Sequence, residues 1–250
     1  MNNFHTHTKR CNHALGIEED YVKQAIKAGY KRLGFSGHMP LPPEDNESSY
    51  RMSPYEVDDY VDEVLRLKKK YKDQIEIFLS FEFEYFYDRV EWVDYLIDKY
   101  PLDYTLVGNH FHNFVSNKTY FGNFDEIDIL GKYYDTTKFI FESEKFDIFA
   151  HPDLFMDSYP KWDAKSEKLS HEICQMANKH GIILEYNLAG VKNQREYPNK
   201  HFWDVAIEHQ CKIIIGVDAH NPTDFHLSHH QEAIDTLTAK GANLIFDLDI

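Results

Sequence analysis

Short apolar or β-branched runs alternate along this chain with longer segments of helical period, and this alternation constrains the fold more than any other feature. It is typical of a mostly parallel sheet or barrel whose strands are joined by helices. The length of 250 residues suits one α/β barrel domain, and no Pro/Gly/Ser-rich linker divides the chain. We therefore expect a single domain over residues 1–250 with about seven strand-helix units.

The apolar runs predict seven strands and a short edge strand, at Asn3–Thr6, Arg32–Gly37, Ile75–Glu82, Tyr104–Asn109, Asp147–Ala150, Ile182–Tyr186, Lys212–Val217 and, at the edge, Asn243–Phe246. Helical periodicity predicts helices at Ile17–Ala28, Val90–Lys99, Ile127–Ser143, Lys165–His180, Lys200–His209 and His229–Lys240. A further helix is predicted after Ser53-Pro54-Tyr55-Glu56, which resembles a capping box with proline at the first helical position.

Metal-ligating side chains recur at the ends of the predicted strands. His5 and His7 lie one residue apart on the first strand, so their side chains point to the same face. In α/β barrels the catalytic groups sit at the carboxyl ends of the strands, where the loops converge. The pattern therefore predicts a metal centre built from His5, His7, His13, His38, Glu82, His110, His151, Asp218 and His220.

Seven imidazoles and two carboxylates are too many for one tetrahedral ion, and they suit two or three divalent ions. Nitrogen and oxygen ligands without thiolate favour zinc, manganese or iron over calcium or magnesium. Glu82 is the natural bridge between two ions. Such a cluster can lower the pKa of water and stabilise charge on an attacked phosphoryl group, which is the chemistry of phosphoester hydrolysis.

The net charge of −15 argues against a nucleic-acid partner or an anionic membrane surface, because both need a basic footprint. Bound metal ions would supply the positive centre that a phosphate-handling site requires. The three cysteines are far apart and form no CxxC pair, which fits a reducing cytoplasm, and no window approaches a membrane span. We expect a cytoplasmic protein that acts on a small molecule; the oligomeric state stays open.

The chain resembles the polymerase and histidinol phosphatase (PHP) superfamily, and within it the PHP-type histidinol-phosphate phosphatases. The matching motifs cover nearly the whole chain and are His5-Thr6-His7-Thr8 with Cys11-Asn12-His13, Phe35-Ser36-Gly37-His38-Met39-Pro40-Leu41-Pro42, Phe81-Glu82, Asp103-Tyr104 leading to Gly108-Asn109-His110, Phe146-Asp147-Ile148-Phe149-Ala150-His151-Pro152-Asp153-Leu154 and Gly216-Val217-Asp218-Ala219-His220.

The resemblance implies a distorted, TIM-like (β/α)7 barrel with a trinuclear metal site at the C-terminal ends of the strands. One ion would be held by His5, His7, Glu82 and Asp218, a second by Glu82, His110 and His151, and a third by His13, His38 and His220. The candidate catalytic residues are Glu82, Asp218 and His220. Asp218 and a metal-bound water are alternative proton donors to the leaving group.

The candidate substrate-binding residues lie on the predicted sixth strand and the loop after it, at Asn187, Lys192, Arg195 and Tyr197. Lys192 and Arg195 either meet the phosphate or are solvated loop cations. Two departures from the family bear on the substrate. Relatives often have Ser at the position of Val217 and a basic residue where this chain has Met156-Asp157-Ser158.

The resemblance implies hydrolysis of L-histidinol phosphate to L-histidinol and phosphate, a step of histidine biosynthesis. The alternatives are a PHP-type phosphoesterase for another small phosphoester or nucleotide, and a metal-binding protein without turnover. Cys11 lies between the ligands His7 and His13 and could coordinate a metal, but with harder ligands around it we expect it to pack as a neutral thiol. His226, His229 and His230 are expected at a solvated helix start rather than on a metal.

Overall fold

A computed structural model describes residues 1–45, 50–112, 120–122 and 128–248. The strands found in these ranges are β1 (Asn2–Asn3), β2 (Arg32–Phe35), β3 (Glu76–Leu79), β4 (Glu82–Phe83), β5 (Leu106–Val107), β6 (Ile148–Phe149), β7 (Ile183–Asn187), β8 (Lys212–Gly216) and β9 (Asn243–Leu244). The α-helices are α1 (Glu18–Lys27), α2 (Val57–Lys70), α3 (Val90–Lys99), α4 (Ile129–Glu142), α5 (Ala164–His180), α6 (Leu188–Lys192), α7 (Lys200–Glu208) and α8 (Leu227–Ala239).

The strands form two parallel sheets, one in the order β1-β2-β3 and the other in the order β4-β5-β6-β7-β8-β9. All pairings between neighbouring strands are parallel. Helices separate most strands along the chain, because a parallel pair needs a crossover connection. The predicted α/β fold with parallel sheets is confirmed.

Two isolated parallel bridges join the sheets near their carboxyl ends. Thr6, beyond β1, pairs with Ala219, beyond β8, and His38, beyond β2, pairs with Glu82 at the start of β4. The backbone N–H of His7 donates to the carbonyl of Ala219 at 2.9 Å. These bridges bring the ends of the two sheets, which carry the predicted ligands, into contact.

The helices cover the sheets with periodic apolar faces. In α2 the buried side chains are Val57, Tyr60, Val61, Val64 and Leu67, the spacing of a single helix face. Each large apolar side chain buried in this way contributes roughly 1.5–3 kcal/mol. The predicted capping box is present, because the Glu56 side chain accepts from the backbone N–H of Ser53 while the Ser53 hydroxyl accepts from the backbone N–H of Tyr55.

The structure changes some predicted boundaries. The predicted strand Ile75–Glu82 is divided into β3 and β4, and the Ser80 hydroxyl between them donates to the carbonyl of Tyr104 at 2.8 Å. The short helix α6 was not predicted, although Asn187 caps it by accepting from the N–H of Gly190. Ile127, the predicted start of a helix, lies outside the described residues.

The predicted edge strand is found as β9, which pairs in parallel with β8 at the end of the larger sheet. Within the part of the chain that the structure describes, no helix has the length and apolar character required to cross a membrane.

Candidate metal centre

The nine predicted ligands converge on one region at the joined ends of the sheets. Three groups of side chains place their donor atoms within 4.8 Å of one another. The groups are His5 with His7 and Asp218; His7 with His38 and His220; and Glu82 with His110 and His151. His13 lies beside the second group, with Nε2 2.9 Å from Nε2 of His220.

The His5-Thr6-His7 segment delivers two ligands to one face. The two Nε2 atoms lie 3.0 Å apart, and both side chains are fully buried. Thr6 points elsewhere, where its hydroxyl accepts from Asn3 Nδ2 at 2.8 Å. The alternation of side chains along extended backbone produces this arrangement, as predicted.

Glu82 occupies the position between the groups. Its Oε1 lies 3.0 Å from His151 Nε2 and 3.5 Å from His110 Nε2. Its Oε2 lies 2.9 Å from His38 Nδ1 and 3.4 Å from His7 Nε2. One carboxylate therefore faces two sets of imidazoles with its two oxygens, the geometry that a bridging ligand requires.

Asp218 and His151 reach the site from left-handed backbone, with φ values of 50° and 32°. Non-glycine residues seldom adopt this region, which costs about 1–3 kcal/mol and is concentrated at functional sites. The backbone at Asp218 presents Oδ1 to His7 Nε2 at 3.1 Å and to His5 Nε2 at 3.4 Å. Asn187 Nδ2 donates to the other oxygen at 3.2 Å.

The protonation states suit metal ligation. Burial and the neighbouring His220 lower the pKa of His7 to about 3, and burial holds the pKa of His38 well below its ordinary value. Burial alone would raise the pKa of Glu82 and Asp218, but the surrounding imidazoles outweigh it and hold both well below the ordinary range. Neutral imidazole and ionised carboxylate are the forms that bind metal.

Unlike His7 and His38, His110 has a raised pKa, because the carboxylates of Glu84 and Glu82 outweigh its burial, and so does His5. Burial opposes protonation of His5, but the carboxylates of Asp218, Glu185 and Glu82 raise its pKa well above the ordinary value. A bound cation would take the place of this proton among the same carboxylates. His5 therefore lies among three carboxylates that favour a positive charge at this position.

Buried donor atoms without hydrogen-bond partners support the same conclusion. Among the described residues, Asp218 Oδ1, His7 Nδ1 and His38 Nδ1 are buried and make no hydrogen bond. His38 Nδ1 is close to Glu82 but not in hydrogen-bonding geometry. Buried polar atoms are normally paired, so the unpaired carboxylate oxygen and imidazole nitrogens fit divalent metal ions.

The contacts differ in one respect from the ligand sets that the resemblance implies. His7 belongs to two of the three donor groups, and His38 groups with His7 and His220. His13 belongs to none of these groups, but its Nε2 lies 2.9 Å from Nε2 of His220. The division of the ligands among ions stays a prediction, with His7 as an additional shared residue.

Two buried carboxylates behind the ligands were missed by the sequence analysis. Glu185 lies 2.7 Å from His5 Nδ1, and Glu84 contacts His110 Nδ1 and Arg51 Nη2. Such outer carboxylates orient metal-binding imidazoles and raise their basicity. The available signals were a charged residue inside the apolar strand β7 and the two-residue spacing of Glu84 from Glu82.

All the predicted ligands except His5 line a cavity of about 740 Å³. Two of the predicted substrate residues, Arg195 and Tyr197, line it. The aromatic side chains in its wall are Tyr50, Phe86, Phe111, Tyr120 and Tyr197. An aromatic wall opposite a metal-binding floor suits a small substrate with a polar end and a flat, apolar end.

The other two predicted substrate residues lie elsewhere. Asn187 is buried behind Asp218 and Glu185, and it donates to both carboxylates. Lys192 lines a neighbouring cavity of about 120 Å³ and pairs with Asp224 at 2.5 Å. The structure therefore places Asn187 with the metal ligands and Lys192 in a separate ion pair.

The two departures from the family have different surroundings. Val217 donates its backbone N–H to Asn3 Oδ1 at 2.7 Å, so this hydrogen bond needs no hydroxyl on its side chain. Asp157 pairs with Arg195, which lines the cavity. The chain thus has a carboxylate, paired with a predicted phosphate contact, where relatives often have a basic residue.

The remaining cysteine and histidine predictions have mixed outcomes. Burial raises the pKa of the Cys11 thiol to about 12, and its Sγ contacts the Thr8 carbonyl at 2.9 Å, which agrees with neutral packing. His226 and His229 are exposed, as predicted. The prediction of a solvated His230 is wrong, because this side chain is buried and lies 3.1 Å from the Tyr30 hydroxyl.

Comparisons with known proteins relate this arrangement to a family. A protein of Deinococcus radiodurans named probable histidinol-phosphatase is 25% identical over 225 residues, covering 87% of this chain and 85% of the relative. A protein of Schizosaccharomyces pombe with the same name is 26% identical over 264 residues, covering 90% of this chain and 82% of the relative.

A similar fold occurs in the crystal structure of histidinol phosphate phosphatase from Lactococcus lactis complexed with Zn, L-histidinol and phosphate. The TM-score is 0.76 at 16% identity, over 98% of this chain and 95% of that chain. The sequence model of the PHP domain matches residues 3–189, about three quarters of the chain. The chain belongs to the PHP domain family.

Proposed function

We propose that the protein is a metal-dependent phosphatase that hydrolyses L-histidinol phosphate to L-histidinol and phosphate. The observation that carries the proposal is the meeting of three ligand groups around Glu82 at the floor of a large cavity. The names of the two curated relatives, and the histidinol and phosphate in the Lactococcus lactis structure, support this substrate.

Some residues of the site would bind the metal ions, and others would transfer protons. Glu82 and the imidazoles around it would hold two to three divalent ions, with zinc, manganese and iron as the candidates. When bound, such ions lower the pKa of water and neutralise charge on a phosphoryl group. Asp218, with Oδ2 fixed by Asn187, would accept a proton from the attacking water and return it to the leaving oxygen, and His220 would help to orient the water.

The cavity wall would bind the leaving group. Phe111 and Tyr120 pack with ring centroids 5.4 Å apart, and Tyr197 lies 5.8 Å from the ring of His151. A planar imidazole ring can stack on such surfaces, which gives affinity without a fixed hydrogen-bond pattern. The aromatic residues therefore favour a substrate such as histidinol phosphate over a sugar phosphate.

The architecture belongs to the same proposal. The bridges Thr6–Ala219 and His38–Glu82 connect the two sheets at both junctions, which supports one distorted (β/α)7 barrel. The ligands lie after β1, β2, β5, β6 and β8 and at β4, as expected for the mouth of a barrel. We propose one barrel domain over the whole chain, with the metal site at the C-terminal ends of its strands.

The test is phosphate release by protein reconstituted with zinc, manganese or iron. L-histidinol phosphate is compared with sugar phosphates and a nucleotide, each over a concentration series that gives kcat/KM. We expect a preference of about 100-fold or more for histidinol phosphate. Equal rates would leave a general phosphatase and refute the substrate, whereas metal uptake with no phosphate release would indicate a binding protein without turnover.

A further inference from the structure

The cavity above the metal ligands contains two cationic side chains among the described residues that line it, Arg51 and Arg195. A phosphoester substrate needs positive charge on its outer oxygens, and arginine supplies it with a planar fork of N–H donors. The surroundings of the two guanidinium groups decide which one is available to a phosphate.

The Arg195 side chain is paired with the carboxylate of Asp157, 38 residues earlier in the chain. Its Nε donates to Asp157 Oδ2 at 2.6 Å, and its Nη2 contacts the same oxygen. Asp157 Oδ1 also accepts from the backbone N–H of Glu196 at 2.8 Å, which fixes the carboxylate in place. The Nε and Nη2 edge of the Arg195 guanidinium is therefore occupied, and Asp157 neutralises its charge.

Arg51 is more buried than Arg195, and fewer of its N–H donors are bonded to a carboxylate. Its side chain is only 7% exposed, although it lines the cavity together with His38 and His110. Its Nη2 donates to Glu84 Oε1 at 3.1 Å, and its Nη1 has a long contact of 3.5 Å with the Met39 carbonyl. A guanidinium has five N–H donors, so three of them have no acceptor among the described residues.

Glu84 does not fully compensate the charge of Arg51, because it is shared. The same oxygen that accepts from Arg51 also contacts Nδ1 of His110. A buried guanidinium with a shared counter-ion is costly unless a further anion completes its shell. A phosphate group in the cavity is an anion of the required size and charge.

We propose that Arg51 is the residue that binds the phosphate group of the substrate, with Glu84 holding its guanidinium toward the cavity. The proposal rests on the proposed phosphatase function and adds a binding residue to it. Arg195 then remains paired with Asp157. Arg51 would then supply the positive charge that relatives often carry on a basic residue near position 157.

The experiment uses metal-loaded protein and two readouts. Binding of inorganic phosphate is measured by calorimetry, and kcat and KM are measured with L-histidinol phosphate. The variants are Arg51→Lys, which keeps the charge but loses the fork, and Arg51→Gln, which loses both. Arg66→Lys and Arg66→Gln are matched controls, because Arg66 lies on α2, is 49% exposed and pairs with Glu63.

We expect the phosphate dissociation constant to rise about 10- to 100-fold in Arg51→Gln and less in Arg51→Lys, with metal content unchanged. The Arg66 variants should match the wild type. Phosphate affinity within twofold of wild type in both Arg51 variants would overturn the proposal. A parallel loss of metal from Arg51→Lys would also overturn it and assign Arg51 to the positioning of His110 through Glu84.

Two further measurements keep the outcomes separate. Thermal unfolding shows whether Arg51→Gln is folded. If it is not, the phosphate affinity of Arg51→Lys alone tests the proposal. The calorimetry needs no substrate, so a protein that binds phosphate through Arg51 but does not hydrolyse histidinol phosphate would refute the proposed substrate and retain the binding residue.

Discussion

Glu185 Oε1 lies 2.7 Å from Nδ1 of His5, and both side chains are fully buried. The other oxygen of Glu185 accepts from the backbone N–H of His151 at 3.2 Å and from Asn187 Nδ2 at 3.0 Å. One carboxylate on β7 therefore orients a ligand from the first strand and fixes the backbone of a ligand from the sixth. Because it connects two donor groups, its removal should affect metal binding without removing a ligand.

We expect Glu185→Gln to lower metal affinity about 10- to 100-fold, since the amide keeps the size of the side chain but loses the charge that fixes His5. Metal content after dialysis, measured by elemental analysis, checks this. Glu76→Gln is the control, because Glu76 is 53% exposed at the start of β3. Wild-type metal affinity in Glu185→Gln would show that the contact with His5 is not needed.

Gly216 makes room for Glu185. A Cβ added at Gly216 would lie 1.7 Å from Glu185 Oε1, so Gly216→Ala must displace this carboxylate. We expect a loss of about 1–3 kcal/mol in the free energy of unfolding together with a lower metal content. Urea unfolding and elemental analysis measure the two effects. Ile214→Val, on the same strand, should lose stability but keep its metal; equal metal content in both variants would contradict the prediction.

Glu82→Gln tests the bridging position. The amide offers one oxygen where two donor groups now face two carboxylate oxygens, so at least one group loses a ligand. We expect fewer bound ions per chain and a fall in kcat of about 100-fold or more. His110→Ala should also lose metal and most activity. Full metal content with wild-type turnover in either variant would remove that residue from the site.

Removal of metal should inactivate and destabilise the protein. Without cations, the ionised carboxylates of Glu82 and Asp218 are buried beside unpaired imidazole nitrogens. If the metal is present at about 1,000 times its dissociation constant, chelation should lower the melting temperature by about 10 °C. Addition of zinc, manganese or iron should restore both stability and activity. An unchanged melting temperature after verified metal removal would argue against a structural contribution of the ions.

Stability should fall in mild acid because of His230. Burial lowers the pKa of this side chain to about 4, below the ordinary histidine value of about 6.5. Between these values the unfolded chain binds a proton that the folded chain does not, so stability decreases as pH falls from about 6.5 toward 4. At pH 5 the loss from this group is about 2 kcal/mol relative to pH 7.

The variant His230→Phe isolates this effect, because it removes the titrating group and keeps a ring beside Tyr30. Urea unfolding at pH 7 and pH 5 in the same metal-depleted buffer gives the change for each protein. The wild type should lose about 2 kcal/mol more than the variant. His229→Phe is the control, since His229 is exposed. Equal losses in wild type and His230→Phe would contradict a buried, neutral His230.

The sequence predicted the parts of the fold that follow from local pattern. Parallel strands alternating with helices, the capping box at Ser53 and the edge strand at Asn243 are all found in the structure. The division of the predicted strand Ile75–Glu82 was not predicted, because the run is apolar on both sides of Ser80. Its sequence does not show that Ser80 donates to the carbonyls of Phe35 and Tyr104.

The predicted burial of side chains failed where a distant partner decides it. His230 has a polar sequence neighbourhood, and only the packing of α8 against Tyr30 makes it buried. Lys192 follows the predicted sixth strand like the other candidates, but its pairing with Asp224, 32 residues away, places it outside the main cavity. Sequence spacing carries no information about such partners.

The sequence by itself determined which residues can bind metal and that they lie at strand ends, because side-chain chemistry and the period of a strand are local properties. It also determined membership of the PHP family through its ordered motifs. The tertiary structure decided which oxygen of Glu82 faces which imidazole, and it placed Glu185 and Glu84 behind the ligands. It also gave Arg195 a carboxylate partner while leaving donors of Arg51 unused. These relationships depend on distances between segments far apart in sequence, and such distances are set only when the sheets and helices pack together.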